Sequence, residues 1–201
     1  EGSDLAGLAY YFENVVTFLF ALVLPFLAAK IGQKWTHFTS LLIGGLGLML
    51  INFVDQNSTW MLFLIMGLVG IAWSSILSMP YAMLVPCLPA NKIGVYMGIF
   101  NFFIVLPEII ASLFFGDVMS SVLNNSRIAA VTVGGVLLIV AGILTLRIKE
   151  NNVTSTSVRF HEHGRKNKNI KVQKIFYSNS YSNLTVILAV LFLLNVSLFP
   201  P

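Results

Sequence analysis

The feature that most constrains this chain is the length of its apolar runs. Five stretches, at about residues 5–29, 36–54, 60–84, 93–115 and 128–147, are almost free of charge. About 20 residues of helix cross the ~30 Å hydrocarbon core of a bilayer. Inside lipid every backbone amide needs an internal partner, so such runs must be helices, because open strands would leave edges unpaired. A half-buried soluble fold would instead show alternating or 3.6-periodic stripes. Composition agrees: 57% of residues are hydrophobic and 10% charged, whereas a soluble domain carries about 25% charge. The expected fold class is therefore all-α and integral to the membrane, with five transmembrane helices.

Between the runs lie short breaks rich in Gly, Pro, Asn, Lys and Asp. The chain starts at Glu1 and its first methionine is Met49. A charged start running straight into a long apolar segment lacks the signal-peptide pattern, and the expectation is a C-terminal part whose upstream portion is missing. The expected organisation is a helical bundle over 1–149, a polar basic tail over 150–183 and a short apolar segment over 184–201. The tail holds no helical stripe and reads as disordered. Leu184 to Phe199 contains Asn195 and is short for a span; a sixth span, a surface helix and a misread gene end all stay open.

Seven of the twelve Lys and Arg fall after residue 148: Lys149, Arg159, Arg165, Lys166, Lys168, Lys171 and Lys174. The high pI therefore belongs to the tail and not to a nucleic-acid surface. Cys87 is the single cysteine, which rules out an intrachain disulfide. Short loops orient a membrane protein through their Lys and Arg content. Lys30, Lys34, Lys92, Arg147 and Lys149 fall on one side, and only Arg127 flanks the other. The loops with Lys30, Lys92 and Arg147 are expected in the cytoplasm.

Polar residues inside the runs are the candidates for function. A charge at a helix centre costs about 2.5–3.5 kcal/mol on insertion scales, and Glu13 and Glu108 both accept that position. A carboxyl that stays neutral in hydrocarbon and ionises when a cavity wets is what a proton-coupled carrier needs; the plainer reading is a group lining a water-filled vestibule. Asn101 lies seven residues before Glu108, which returns it to nearly the same face about 10 Å along the axis, with Tyr96 and Met97 a turn earlier. Asn donates and accepts while Glu accepts, which suits a hydroxyl-rich ligand; an interhelical hydrogen bond is the alternative. Ser74, Ser78 and Tyr81 form a further stripe that favours packing. Trp73 beside it offers an aromatic face for a sugar ring. Tyr10, Glu13 and Thr17 are expected on one face of the first helix. The glycines, including Gly94 and Gly98 in a G-x-x-x-G, are expected where helices touch.

No metal site or cofactor is expected: His161-Glu162-His163 lies in the polar tail without further ligands. The chain has no H-E-x-x-H, P-loop or G-x-S-x-G motif, and no catalytic constellation, so it does not read as an enzyme.

Two loops and their flanks carry a resemblance. Lys30-Ile31-Gly32-Gln33-Lys34 resembles the basic signature loop of the major facilitator superfamily, roughly D-R-x-G-R-K, with Ala29 where the Asp would stand. Gly32 allows the sharp turn, and the cations Lys30 and Lys34 sit near helix C-termini where the dipole favours them. Pro89-x-x-Lys92-x-Gly94-x-x-x-Gly98-x-x-Asn101, continued by Phe102 to Pro107 and Glu108, resembles the tenth-to-eleventh helix region of sugar symporters. The likeness is to bacterial maltose and sucrose permeases and plant sucrose transporters, and the run Gly70 to Ala82 resembles the same group. Where those relatives commonly have Gln after Pro107, this chain has Glu108, either a stronger sugar acceptor or an additional proton site.

The resemblance covers about residues 1–149. It implies that the five spans are helices eight to twelve of a twelve-helix transporter, with a sugar bound between two six-helix halves that rock to expose it alternately. On that reading Asn101, Glu108, Trp73 and Tyr10 contact the sugar, and Glu108 and Glu13 couple the proton. The partners are sugar, proton, the bilayer and a missing N-terminal half. The rival from another class is a non-transporting membrane scaffold or sensor.

Overall fold

The computed structural model describes residues 2–55 and 58–148. The tail over 150–183, the segment over 184–201 and the His161–His163 cluster lie outside the described residues. Five helices dominate: α1 (Gly2–Ile31), α2 (Gln33–Met49), α3 (Thr59–Leu84), α4 (Ile93–Ser121) and α5 (Arg127–Thr145). A 3-10 segment, Leu50–Phe53, extends α2, and two short ones, Val85–Cys87 and Ala90–Lys92, link α3 to α4. No strand occurs among the described residues. All five helices are long and apolar enough to cross a membrane, as the apolar runs require. The 26 residues of α3 measure about 39 Å at 1.5 Å per residue, and the 19 of α5 about 28 Å.

The turns follow from a few residues. Gly32 alone separates α1 from α2, with φ 89°. A side chain there would meet the steric cost of the left-handed region, which glycine escapes. The reversal is stitched by Gly32 N–H to Ala28 O at 3.0 Å and Thr36 N–H to Gly32 O at 3.1 Å. Before α5, Asn124 and Asn125 take φ 48° and 57°, a conformation asparagine tolerates better than most residues. Ser126 then caps α5, its side chain accepting from Ala129 N–H at 3.3 Å. Pro25, Pro80 and Pro107 sit inside helices that continue through them.

Packing runs in a row: α1 against α3, α3 against α2, and α2 against α5, with a lighter α1–α2 contact. The core gathers Leu24 of α1, Leu41 of α2, Ala72 of α3, Phe100 of α4, and Leu138 and Ala141 of α5. Large apolar side chains cover the outside, among them Phe18, Phe26, Leu46, Leu113 and Phe114. That surface suits lipid. The chain is an integral, multi-pass membrane protein.

Because lipid tails are as apolar as leucine, close backbone approach rather than burial from water holds such helices together. Gly45 and Gly135 bring α2 and α5 together: a Cβ on either would lie 2.8 Å from the other's carbonyl oxygen. At Gly44 a Cβ would clash with the Ala72 Cβ of α3. Gly94 and Gly98 depart from the expected pattern, since a Cβ at either meets nothing within 4 Å. The reason is that α4 lies at the edge of the bundle, where only Phe100 and Pro107 of the helix are buried. Gly45→Val is expected to lower stability by about 1–3 kcal/mol through overpacking. Gly94→Ala and Gly98→Ala should fall within about 0.5 kcal/mol of the parent. Thermal unfolding in a mild detergent reads all three, and equal losses would contradict the packing described.

Candidate functional site

The first polar centre forms where α1 crosses α3. At Gly70 the two backbones touch, since a Cβ there would lie 2.7 Å from Glu13 O. The Thr17 hydroxyl has one hydrogen and two acceptors within reach, Gly70 O at 3.1 Å and Glu13 Oε1 at 3.3 Å. Glu13 is buried, at 7% exposure, and so lies in a protein interface rather than against lipid. Glu13 and Thr17 do share the face turned to α3. Tyr10 departs from it: three residues before Glu13 and about 60° round the helix, it is exposed. Asn14 is also exposed and donates to Tyr10 O at 2.8 Å.

The second centre joins α3 to α4. The Tyr81 hydroxyl donates to Asn101 Oδ1 at 2.7 Å, and the Tyr81 ring meets Phe100 edge-on with centroids 5.0 Å apart. Met97, Phe100 and Ile104 pack on the core, and Pro107 is buried, so this stripe is the packed face of α4. Asn101 and Glu108 each follow a residue of that stripe and lie along its edge. Asn101 is exposed and Glu108 half-buried. Among the described residues Glu108 has no hydrogen-bond partner. Trp73 is half-buried on α3. Both centres bond to α3, the first through Gly70 O and the second through the Tyr81 hydroxyl.

The third centre was not among the sequence-based candidates. His37 of α2 is buried, at 1% exposure, with Nδ1 2.8 Å from Ser75 Oγ of α3. Its Nε2 and the Ser74 hydroxyl are both buried and unpartnered among the described residues. A polar atom left so typically costs about 1–3 kcal/mol. A serine in a helix commonly returns its hydrogen to the carbonyl four residues back, as Ser78 does to Ser74 O at 2.8 Å. For Ser74 that carbonyl belongs to Gly70, where Thr17 already donates. An ionisable residue inside a span is a functional hypothesis by default, and that rule would have found His37. Its place near the start of a run, beside Lys34, hides it as an interfacial residue.

The turn between α1 and α2 forms the fourth centre. Gly32 makes the reversal and Lys30 occupies the last turn of α1, exposed to solvent. Lys34 reaches across to the end of α5, where Nζ donates to Leu146 O and Ile148 O, each at 3.2 Å. Those carbonyls belong to the frayed C-terminal turn, where a cation both satisfies acceptors and offsets the helix dipole. No three His, Cys, Asp or Glu side chains come together as a metal site among the described residues.

These features define a polytopic α-helical membrane protein whose few polar groups are held between helices. A family model, the Major Facilitator Superfamily, matches residues 2–200, and the chain belongs to that superfamily. Its function is accordingly of the transporter type. The matched stretch runs well past residue 149, where the expected likeness ended. Comparison with curated proteins and with solved structures found no match.

Two contacts can be tested in isolation. Lys34→Met should speed hydrogen exchange at the Leu146–Ile148 amides by about tenfold or more, since bonds from a charged donor are among the stronger ones. Unchanged exchange would show that Lys34 does not hold the end of α5. A double-mutant cycle of Tyr81→Phe and Asn101→Leu should return a coupling of about 0.6 kcal/mol, the average for interhelical bonds in a membrane. A coupling of zero by unfolding in bicelles would mean that α4 is not tied to α3 through this pair.

Proposed function

We propose that the chain is the C-terminal part, helices eight to twelve of twelve, of a sugar symporter of the major facilitator superfamily. It moves a disaccharide such as maltose or sucrose with a proton, by alternating access, across the cell membrane. The loops carrying Lys30, Lys92 and Arg147 face the cytoplasm on this reading. Asn101, Glu108, Trp73 and Tyr10 contact the sugar; Glu13 and Glu108 handle the proton. The other half of the site comes from an N-terminal bundle.

The observation that carries the reading is the arrangement at Glu13. Thr17 can donate its single hydrogen to Gly70 O, at 3.1 Å, only by withholding it from Glu13 Oε1, at 3.3 Å. A carboxyl that holds a proton resolves the conflict, because it donates to Thr17 Oγ1 while Thr17 donates to Gly70. A carboxyl that has lost the proton competes with Gly70 for the one hydrogen. Gain and loss of a proton therefore changes how α1 is bonded to α3, which is the coupling a symporter requires. On the sugar side, Glu108 has acceptor capacity that the described residues leave unused, and it lies about 10 Å along α4 from Asn101.

The scaffold or sensor reading gains from one contact: Asn101 Oδ1 already accepts the Tyr81 hydroxyl. A sensor would bind sugar without moving it. Uptake of radiolabelled maltose or sucrose by proteoliposomes separates the two. The complete transporter that contains this chain should concentrate sugar only under an inward proton gradient. Glu13→Gln should abolish accumulation while sparing sugar exchange between the two sides. This chain alone should take up none. Accumulation that survives a protonophore, or uptake by this chain alone, would overturn the proposal.

A further inference from the structure

We propose that Tyr81 is a positioning residue of the sugar site: it holds the Asn101 amide so that Asn101 meets the substrate with its N–H hydrogens and selects a sugar group that accepts one. This role rests on the reading of Asn101 as a sugar contact. Left to itself, an asparagine amide does not choose. Its terminal torsion is broad and roughly two-fold, and the group can present either a carbonyl oxygen or an NH2. A neighbour that binds one end settles which end faces the ligand.

Tyr81 supplies that neighbour. Its hydroxyl oxygen lies 2.7 Å from Asn101 Oδ1. That separation is ordinary for O–H···O, whereas N–H···O bonds centre nearer about 2.9–3.0 Å. The phenol therefore donates to the amide oxygen. The oxygen end of the amide is turned to α3, and the nitrogen end, with its two hydrogens, away from it. Among the described residues that nitrogen has no hydrogen-bond partner, and Asn101 is exposed.

The phenol is itself fixed. Tyr81 is half-buried and packs on the core. Its ring meets Phe100 edge-on with centroids 5.0 Å apart, and Phe100 is fully buried. Ser78, a turn earlier on α3, does not compete for the amide, since its hydroxyl donates to Ser74 O at 2.8 Å.

The two polar ends of the site then differ. Asn101 donates, and Glu108, about 10 Å along α4, accepts when ionised. A disaccharide that offers an acceptor to one and a donor to the other sits in one orientation and not in the reverse. An analogue that cannot return a hydrogen bond leaves a polar group of the site unpaired, and is rejected for that reason.

Competition against uptake of radiolabelled sugar by the complete transporter in proteoliposomes tests the role. The competitors are maltose and sucrose with one hydroxyl at a time replaced. Fluorine accepts weakly and does not donate; an ammonium group donates and does not accept. At one position the parent should prefer the fluorine analogue by about tenfold or more. Tyr81→Phe keeps the ring against Phe100 and removes the hydroxyl, so the amide is free to turn its oxygen to the ammonium. The preference should then fall to about twofold or less. Asn101→Asp puts an acceptor where the hydrogens were and should reverse the preference. Asn101→Leu, which neither donates nor accepts, should abolish it. A preference that is lost in Asn101→Leu but kept in Tyr81→Phe would overturn the positioning role and leave the sugar contact of Asn101 standing. Equal weakening of every competitor in Tyr81→Phe would overturn it too, because lost packing alone does that. No competition by any analogue, or one pattern of preference in the parent and in both Asn101 variants, would overturn the sugar contact, and the role of Tyr81 with it.

Discussion

Hydrocarbon offers a backbone amide nothing to bond to, and every other feature of this molecule is shaped by that fact. It forces the apolar runs into helices and confines irregular backbone to the ends of the spans. It also removes the usual reward for burying leucine, so the helices are joined by contact of backbone with backbone at Gly45, Gly70 and Gly135 and by a small number of hydrogen bonds. The polar groups then matter out of proportion to their number. Thr17 to Gly70, His37 to Ser75 and Tyr81 to Asn101 each tie α3 to one of its three neighbours.

That economy explains which parts were legible in the sequence. Five spans could be read because twenty apolar residues in a row have few other uses. The sharp turn at Gly32 was legible because a loop of so few residues between two spans needs a residue at ease with positive φ. That Glu13 and Thr17 share a face followed from helical spacing, i to i+4. Tyr10 did not follow, because i to i+3 leaves about 60° of rotation, enough to move a side chain from an interface to the outside.

What remained illegible depends on which helix lies beside which. Small residues mark places where helices can touch, not places where they do, and Gly94 and Gly98 have the spacing without the neighbour. His37 was hidden for a related reason. Near a helix start it looks like a residue at the membrane surface, and only the approach of α3, with Ser75 opposite and Ser74 deprived of the Gly70 carbonyl, makes it interior. Lys34 likewise reads as a charge on a loop until α5 ends beside it.

The pairing of α2 with α5 has a mechanical consequence. Eleven residues separate Lys34 from Gly45 on one helix and Gly135 from Leu146 on the other, about 16 Å of axis in each case. The two helices are thus pinned at two heights with matched spacing, once by touching backbones and once by a lysine on carbonyls. Contacts at two heights oppose sliding of one helix along the other and leave only a hinge about the line that joins them. The pair is thus braced along its length, whereas α4, with only Phe100 and Pro107 buried, has the fewest moorings.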